Sequence, residues 1–275
     1  MKPRPLSFLA SDRPYPEAKV VIVGVPLERT VSWRGGVAEA PAAIRLASDS
    51  VETYSSLFSA DFSSLGVCDL GDIAVHLPLP EVLLEVEREV SRLLGAGKRV
   101  VLLGGEHTIT LGAVRGAQVA LGEIQLLALD AHSDLREEYE GLRICHATVL
   151  RRAREVTQRL LIVGARSFYG GERAEPVFAE IENFTERLDR KVPLWLSLDL
   201  DVLDPSLCPG VTNPEPGGLS YHQVIEVLRA LREFNVVGMD LVELAPPYDP
   251  SGVSAVTAAK LVLEAACALW SPRRR

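Results

Sequence analysis

The sequence predicts an α/β fold with a doubly wound, mostly parallel sheet, and three observations lead there. Short apolar runs alternate with segments of helical periodicity from end to end, the pattern of repeated strand–helix units. The runs are apolar at successive positions rather than at every second one, as expected of strands covered on both faces. Several runs stop abruptly at metal-ligand-type residues, which puts chemistry beyond strand carboxyl ends, where open parallel sheets hold their ligands.

The elements follow in order. Residues 1–18 are rich in proline and polar side chains and are expected to lie across the surface as an N-terminal extension. Val20–Val25 is a β-branched strand closed by Pro26, and a polar loop over 30–36 leads to a helix with Pro41 in its first turn. Leu65–Gly71 reads as a short strand or turn. Val82, Leu83, Val86, Val90, Leu93 and Leu94 recur at helical spacing within 80–95, with Gly95 and Gly97 as stop signals. Strand Arg99–Leu103 runs into Gly104-Gly105-Glu106-His107, and helical pattern resumes at Thr108. Strands are expected at Ile124–Leu129, Leu160–Gly164, Pro193–Leu198 and Val236–Leu241; helices at 146–155, 220–234 and 254–270. A Pro/Gly-rich loop spans 204–218. There is no internal repeat and no linker, so residues 1–275 are expected to form one domain.

Composition narrows the function classes. The chain is 47% hydrophobic and 24% charged, ordinary for a globular enzyme with a substantial core. A formal net charge of −8 argues against nucleic-acid or anionic-membrane partners, which need a basic face, and is compatible with a cationic small substrate. The Arg273-Arg274-Arg275 tail is too short to alter this and reads as a frayed end. No apolar run reaches the length of a membrane span and no signal segment follows Met1, so a cytoplasmic protein is expected. Cys68, Cys145, Cys208 and Cys267 are scattered, without the pairing of a thiolate zinc site.

The chain is organised around Leu126-Leu127-Ala128-Leu129-Asp130-Ala131-His132-Ser133-Asp134. If the extended backbone persists past Leu129, alternation puts Asp130, His132 and Asp134 on one side. Leu196-Ser197-Leu198-Asp199-Leu200-Asp201 repeats the logic with two carboxylates, and a third strand end supplies His107 after two glycines that allow close backbone packing. Singly, each admits a blander reading: a solvated turn, a loop histidine, a capping aspartate. Jointly they offer His107, Asp130, His132, Asp134, Asp199 and Asp201. Four crowded carboxylates repel one another unless cations neutralise them. One divalent ion cannot use six protein ligands and keep an open position, whereas two ions about 3.5–4 Å apart, sharing carboxylates, can. The oxygen-rich set suits Mn²⁺, two per chain, and leaves Zn²⁺, Fe²⁺ or Co²⁺ open.

Together with Asp240-Leu241-Val242-Glu243-Leu244-Ala245-Pro246, these motifs resemble the arginase/agmatinase (ureohydrolase) family, in its order and spacing from about Trp33 to Lys260. The resemblance implies a three-layer α/β/α fold, a binuclear manganese centre, and hydrolysis of a guanidino group to urea and an amine. By motif position, His107, Asp130, Asp134 and Asp199 would hold one ion and Asp130, His132, Asp199 and Asp201 the other, with Asp130 and Asp199 bridging. Glu243 falls where the family pairs a carboxylate with the guanidinium, a planar cation suited to a carboxylate fork. His146 falls at a proton-shuttling histidine, and Asp134 is the expected relay to the leaving amine. Trimers or hexamers are common in the family.

Leu135-Arg136-Glu137-Glu138-Tyr139-Glu140-Gly141 is acidic rather than carboxylate-binding and is similar to the agmatinase branch. Glu137, Glu138 or Glu140 either meets a distal ammonium or forms a solvated face. Two departures stand out: Glu106 and Thr108 replace the commoner Asp and Ser around His107, and Val211-Thr212-Asn213 replaces Thr-Gly-Thr, which makes Asn213 a candidate substrate contact. The expected substrate is agmatine or a derivative, giving urea and a putrescine- or spermidine-type polyamine. N1-aminopropylagmatine, another guanidino acid or arginine are the alternatives. From other classes, the intact ligands, Glu243 and His146 speak against a catalytically silent metal-binding scaffold, and six ligands, which imply two metals, against a metal-dependent amide hydrolase that needs one.

Overall fold

The computed structural model describes residues 6–272. Its elements are β1 (Val20–Val25), α1 (Ala40–Ser48), β2 (Tyr54–Ser55), β3 (Ala60–Asp61), β4 (Val67–Asp72), α2 (Leu79–Gly95), β5 (Arg99–Gly104), α3 (Ile109–Leu121), β6 (Gln125–Leu129), α4 (Val149–Val156), β7 (Leu160–Val163), β8 (Phe178–Ala179), β9 (Leu194–Asp199), α5 (Tyr221–Leu231), β10 (Val236–Val242) and α6 (Val253–Trp270). Eight strands form one sheet in the order β4-β1-β5-β10-β9-β6-β7-β8, and every pairing in it is parallel. The expected long elements are all present. The two-residue strands β2, β3 and β8 are not legible in the sequence, because no periodicity can be read over two positions.

The side-chain alternation of each strand feeds two cores. Leu194, Leu196 and Leu198 join Ile44 of α1, Val224 of α5 and Ala258 of α6 on one face. On the other, Trp195 packs with Val82 of α2, Ile109 of α3 and Val149 of α4. This gives three layers, helices–sheet–helices. Helix α6 is long and apolar enough to cross a membrane by composition, contrary to the expectation that no segment is. However, 61% of it is buried inside the protein, so its apolar surface serves the core against α1 and α5.

The segment before β1 also departs from expectation. Residues 1–5 lie outside the described residues, as do Arg273–Arg275, but residues 6–18 do not simply cover the surface. Phe8 is fully buried, its ring centroid 5.5 Å from that of Phe62, and its N–H donates to Asp69 Oδ2 at 2.9 Å. That carboxylate also meets the Arg45 guanidinium in a bidentate pair at 2.8 and 2.9 Å. Both side chains are almost completely buried, and burial of an ion pair makes each partner depend on the other.

The chain order of the strands sets where a site can form. After β5 the chain vaults across the space of two strands before laying down β6, and β9 and β10 fill that space later. The carboxyl ends of β5, β10, β9 and β6 therefore lie side by side at the reversal of strand order, the place where open α/β sheets leave a crevice.

Arg45→Met is expected to destabilise the fold by about 3–5 kcal/mol, because it strands the Asp69 carboxylate without its cation. Denaturant unfolding of the variant beside the parent measures this, and a loss below about 1 kcal/mol would show that solvent reaches Asp69.

Candidate metal centre

Each of the four central strand ends delivers a different part of the site. At the end of β5, Gly105 packs on the chain leaving β1: a Cβ there would lie 2.0 Å from the Leu27 carbonyl oxygen. The Gly105 and Glu106 N–H groups donate to Val25 and Leu27 carbonyls at 2.8 and 2.9 Å. Only glycine permits this approach, and it fixes the backbone that carries His107.

The His107 ring is oriented from behind. Its Nε2 lies 3.0 Å from Ser197 Oγ. Ser197 donates its proton to Asp240 Oδ1 at 2.5 Å, and Asp240 Oδ2 accepts from Trp195 Nε1 at 2.6 Å. With the serine proton committed, Nε2 of His107 is the donor and Nδ1 presents its lone pair. That nitrogen faces Asp130 Oδ2 at 3.2 Å, Asp134 Oδ2 at 3.2 Å and Asp199 Oδ2 at 3.3 Å. A lone pair opposite three carboxylate oxygens is repulsive without a cation between them. Nδ1 of His107 and Oδ2 of Asp130 are moreover buried without hydrogen-bond partners. A second group sits alongside: His132 Nδ1 lies 2.8 Å from Asp201 Oδ2 and 3.8 Å from Asp130 Oδ1. Two candidate cation groups result, His107–Asp130–Asp199 and Asp130–His132–Asp201, with Asp130 common to both. The orphaned buried atoms and the hard oxygen donors fit divalent cations.

The backbone reaches this arrangement differently from simple alternation. Strand β6 ends at Leu129, and Asp134 adopts a left-handed conformation, φ 47°. Asp199 is the last residue of β9, and a short 3₁₀ turn over Leu200–Val202 follows. Asp199 caps that turn by accepting the Asp201 N–H at 2.9 Å through Oδ1, while Oδ2 faces His107. The capping and ligand readings of Asp199 therefore hold together. Asp199 thereby presents Oδ2 to the first cation group.

Glu243 follows β10 with φ 66°, a left-handed conformation for a buried, non-glycine residue. Such a backbone costs on the order of 1–3 kcal/mol and persists where surroundings over-determine it. Here Oε1 accepts the His107 N–H at 2.6 Å and Oε2 accepts from the Thr212 hydroxyl. Burial pushes the Glu243 carboxyl up to about 8, against the hydrogen bonds from Thr212 and His107. Asn213 lines the same cavity, about 350 Å³, with Glu243, His146, Asp134 and both candidate imidazoles. His146 opens a 3₁₀ turn ahead of α4, with its ring edge-on to Tyr139 at 5.8 Å.

Electrostatics follow from burial and crowding. Burial, then the neighbouring Asp134 and Asp201 charges, raises Asp130 to about 7. Burial, then Asp201 and Asp130, pushes Asp199 well above the carboxylate range. Burial alone would lower His107, but its three facing carboxylates outweigh that and raise it; for the same reason His132 rises to about 11 beside Asp201. The cluster retains positive charge as protons wherever divalent cations do not supply it.

The glutamates of the 135–141 loop do not line the cavity. Glu137 pairs with Arg143, Arg151 and Arg152 at 2.9, 3.2 and 2.9 Å, and the cavity wall is formed by Arg136 and Tyr139 instead of Glu137, Glu138 or Glu140. The solvated-face reading of that run is the correct one. Roles for Thr212, Ser197 and Asp240 were not legible, although Ser197 shares a strand face with Asp199 by alternation.

A parallel three-layer fold with buried carboxylates and imidazoles converging on a cavity at its topological switch point defines an α/β protein built around a candidate metal centre. The chain matches the Arginase family over residues 18–268 and belongs to it. Enzymes of this family hydrolyse guanidino carbon–nitrogen bonds, and the chain is a hydrolase of that class. Its relatives include a guanidinobutyrase from Pseudomonas aeruginosa, 34% identical over 92% of this chain and 87% of the relative. Another is an N(1)-aminopropylagmatine ureohydrolase from Thermus thermophilus, 36% identical over 94% and 93%. The crystal structure of an agmatine ureohydrolase from Thermoplasma volcanium superimposes with a TM-score of 0.89 at 34% identity, covering 97% of this chain and 95% of that one.

Cation binding is expected to release protons and to strengthen as pH rises through about 7, because Asp130 must be ionised to act as a ligand. Calorimetry with Mn²⁺ at about pH 6 and 8, in buffers of different ionisation enthalpy, measures both. A pH-independent affinity would show that protons do not occupy the cluster. Asp130→Ala is expected to abolish binding at both groups, since both use this carboxylate.

Proposed function

We propose that the protein is a two-metal ureohydrolase that cleaves agmatine or an agmatine derivative to urea and a polyamine-type amine. The observation that carries this reading is the sharing of Asp130 by two adjacent cation groups, with the buried Glu243 carboxylate hydrogen-bonded to one group's histidine and opening on the same cavity. His107, Asp130, Asp134 and Asp199 would hold one Mn²⁺, and Asp130, His132, Asp199 and Asp201 the other. When bound, such a pair supplies a water ionised near neutral pH and charge to stabilise the developing tetrahedral centre. Glu243 orients the guanidinium by a charge-assisted fork, held in place by Thr212 and the His107 N–H. Asp134 passes a proton to the leaving amine, and His146, at the wall of the cavity, exchanges protons with solvent. Asn213 meets the substrate from the opposite loop. In this reading the protein is a cytoplasmic homo-oligomer, a trimer or hexamer as is common in the family, that takes a cationic guanidino compound as substrate.

Relatives named for agmatine, aminopropylagmatine and guanidinobutyrate are about equally similar to the chain. Urea release by Mn²⁺-loaded protein from agmatine, N1-aminopropylagmatine, arginine and guanidinobutyrate therefore decides the substrate. The expected order puts an agmatine-type compound first, and absence of urea from all four would leave the scaffold reading. Glu243→Gln is expected to keep its cations and to lose kcat/KM by roughly 10- to 100-fold, the worth of a hydrogen bond to a charged group. Unchanged kcat/KM would remove Glu243 from guanidinium recognition.

A further inference from the structure

Glu106 stands beside His107 in sequence but aims its carboxylate the other way. It is fully buried, and its Oε2 accepts the backbone N–H groups of Arg29 and Thr30 at 2.6 and 2.7 Å. Its Oε1 accepts the Thr30 hydroxyl at 2.9 Å. With three donors converging on them, the two oxygens act as acceptors, and the single hydroxyl proton of Thr30 is committed to Glu106. The Thr30 oxygen has only its lone pairs left to offer. It accepts the His146 backbone N–H at 3.1 Å and lies 3.2 Å from His146 Nδ1. The Thr108 hydroxyl lies further off, at 3.4 Å.

Proton counting then settles the ring. Since Thr30 has no proton to give, its 3.2 Å contact with His146 is a hydrogen bond only when Nδ1 carries one, which in the neutral ring leaves Nε2 bare. Nε2 lies on the cavity side, 3.5 Å from the hydroxyl of Ser32, which lines the cavity with His146. A histidine that accepts a proton at Nε2 becomes an imidazolium whose second N–H is already hydrogen-bonded to an oxygen backed by a carboxylate. The reversed tautomer would present an N–H to the cavity and could accept nothing there.

Resting on the ureohydrolase reading above, we propose that Glu106, acting through Thr30, is a positioning residue that locks His146 in its Nδ1–H tautomer and so makes Nε2 the proton acceptor of the cavity. Nε2 takes up one proton from the cavity during turnover and returns it from the same nitrogen to solvent, with no other bond formed or broken at the ring.

An isosteric change tests the relay. In Glu106→Gln the amide oxygen keeps the two backbone N–H groups, so the amide nitrogen takes the place of Oε1 and donates to Thr30. The Thr30 proton then turns to His146 Nδ1, and the ring is expected to switch to Nε2–H. Nitrogen-15 spectra of ring-labelled, full-length protein loaded with Mg²⁺, at about pH 9 and thus above the ordinary histidine range, read the tautomer directly. The His146 signals are assigned by their loss in His146→Asn. The parent is expected to show Nδ1–H, Glu106→Gln to show Nε2–H, and Thr30→Val a mixture. In the Mn²⁺ enzyme, Thr30→Val and Glu106→Gln are expected to lower kcat about 10- to 100-fold, part of the about 10²–10⁴-fold that a positioned acid–base group supplies. KM should change less than about threefold, and Thr30→Ser should restore kcat. Nε2–H in the parent, the same tautomer in Glu106→Gln as in the parent, or parental kcat in Thr30→Val would each overturn the proposal. If the spectra agree but no guanidino compound yields urea, it is the proposed function that fails and the tautomer assignment that stands.

Discussion

Four carboxylates gathered with two imidazoles, most of them buried, form the constraint on which the rest of the structure depends. Charges of one sign cannot be buried together without a compensating cation, and the geometry around Asp130 shows where that compensation belongs. Much of the surrounding architecture serves to hold these groups against their mutual repulsion. Gly105 lets the β5 terminus dock on the chain leaving β1. The Trp195–Asp240–Ser197 chain pins the ring of His107 from its far side. Left-handed backbones at Asp134 and Glu243 turn their carboxylates toward the cavity.

A division of labour among hydroxyls follows from the same arrangement. Ser197 commits its proton to Asp240, and Thr30 commits its proton to Glu106. In each case a buried carboxylate decides which nitrogen of a neighbouring histidine is protonated. The outcomes are opposite: His107 offers Nδ1 to the cation cluster, whereas His146 offers Nε2 to the cavity. One device, used twice, gives one imidazole the lone pair a ligand needs and the other the lone pair a base needs.

Much of this was legible before any coordinates. Continuous apolar runs announced strands buried on both faces, and helical spacing in 80–95 announced α2, because both signals rest on burial, which composition records directly. Ligand-type residues after those runs announced the site, because strand carboxyl ends are where parallel sheets leave room. What sequence could not show depends on contacts distant in the chain. Phe8 is buried because Phe62 and Asp69 receive it. Glu137 is diverted from the cavity by three arginines. Thr212 is tied to Glu243 across 31 positions. The conformations of Asp134 and Asp199 also broke the simple alternation rule, since capping and left-handed turns are tertiary choices that a period of two does not encode.

The vault from β5 to β6 has a consequence for synthesis. A nascent chain that has emerged as far as β7 already carries His107, Asp130, His132 and Asp134, yet the two strands that must lie between β5 and β6 are still on the ribosome. Until they arrive, the half-built sheet exposes two unpaired inner edges, and backbone edges of that kind invite pairing with other chains. The active centre is thus sealed only by the last third of the polypeptide, and premature termination there would leave a fragment with most of its ligands and a strong tendency to aggregate.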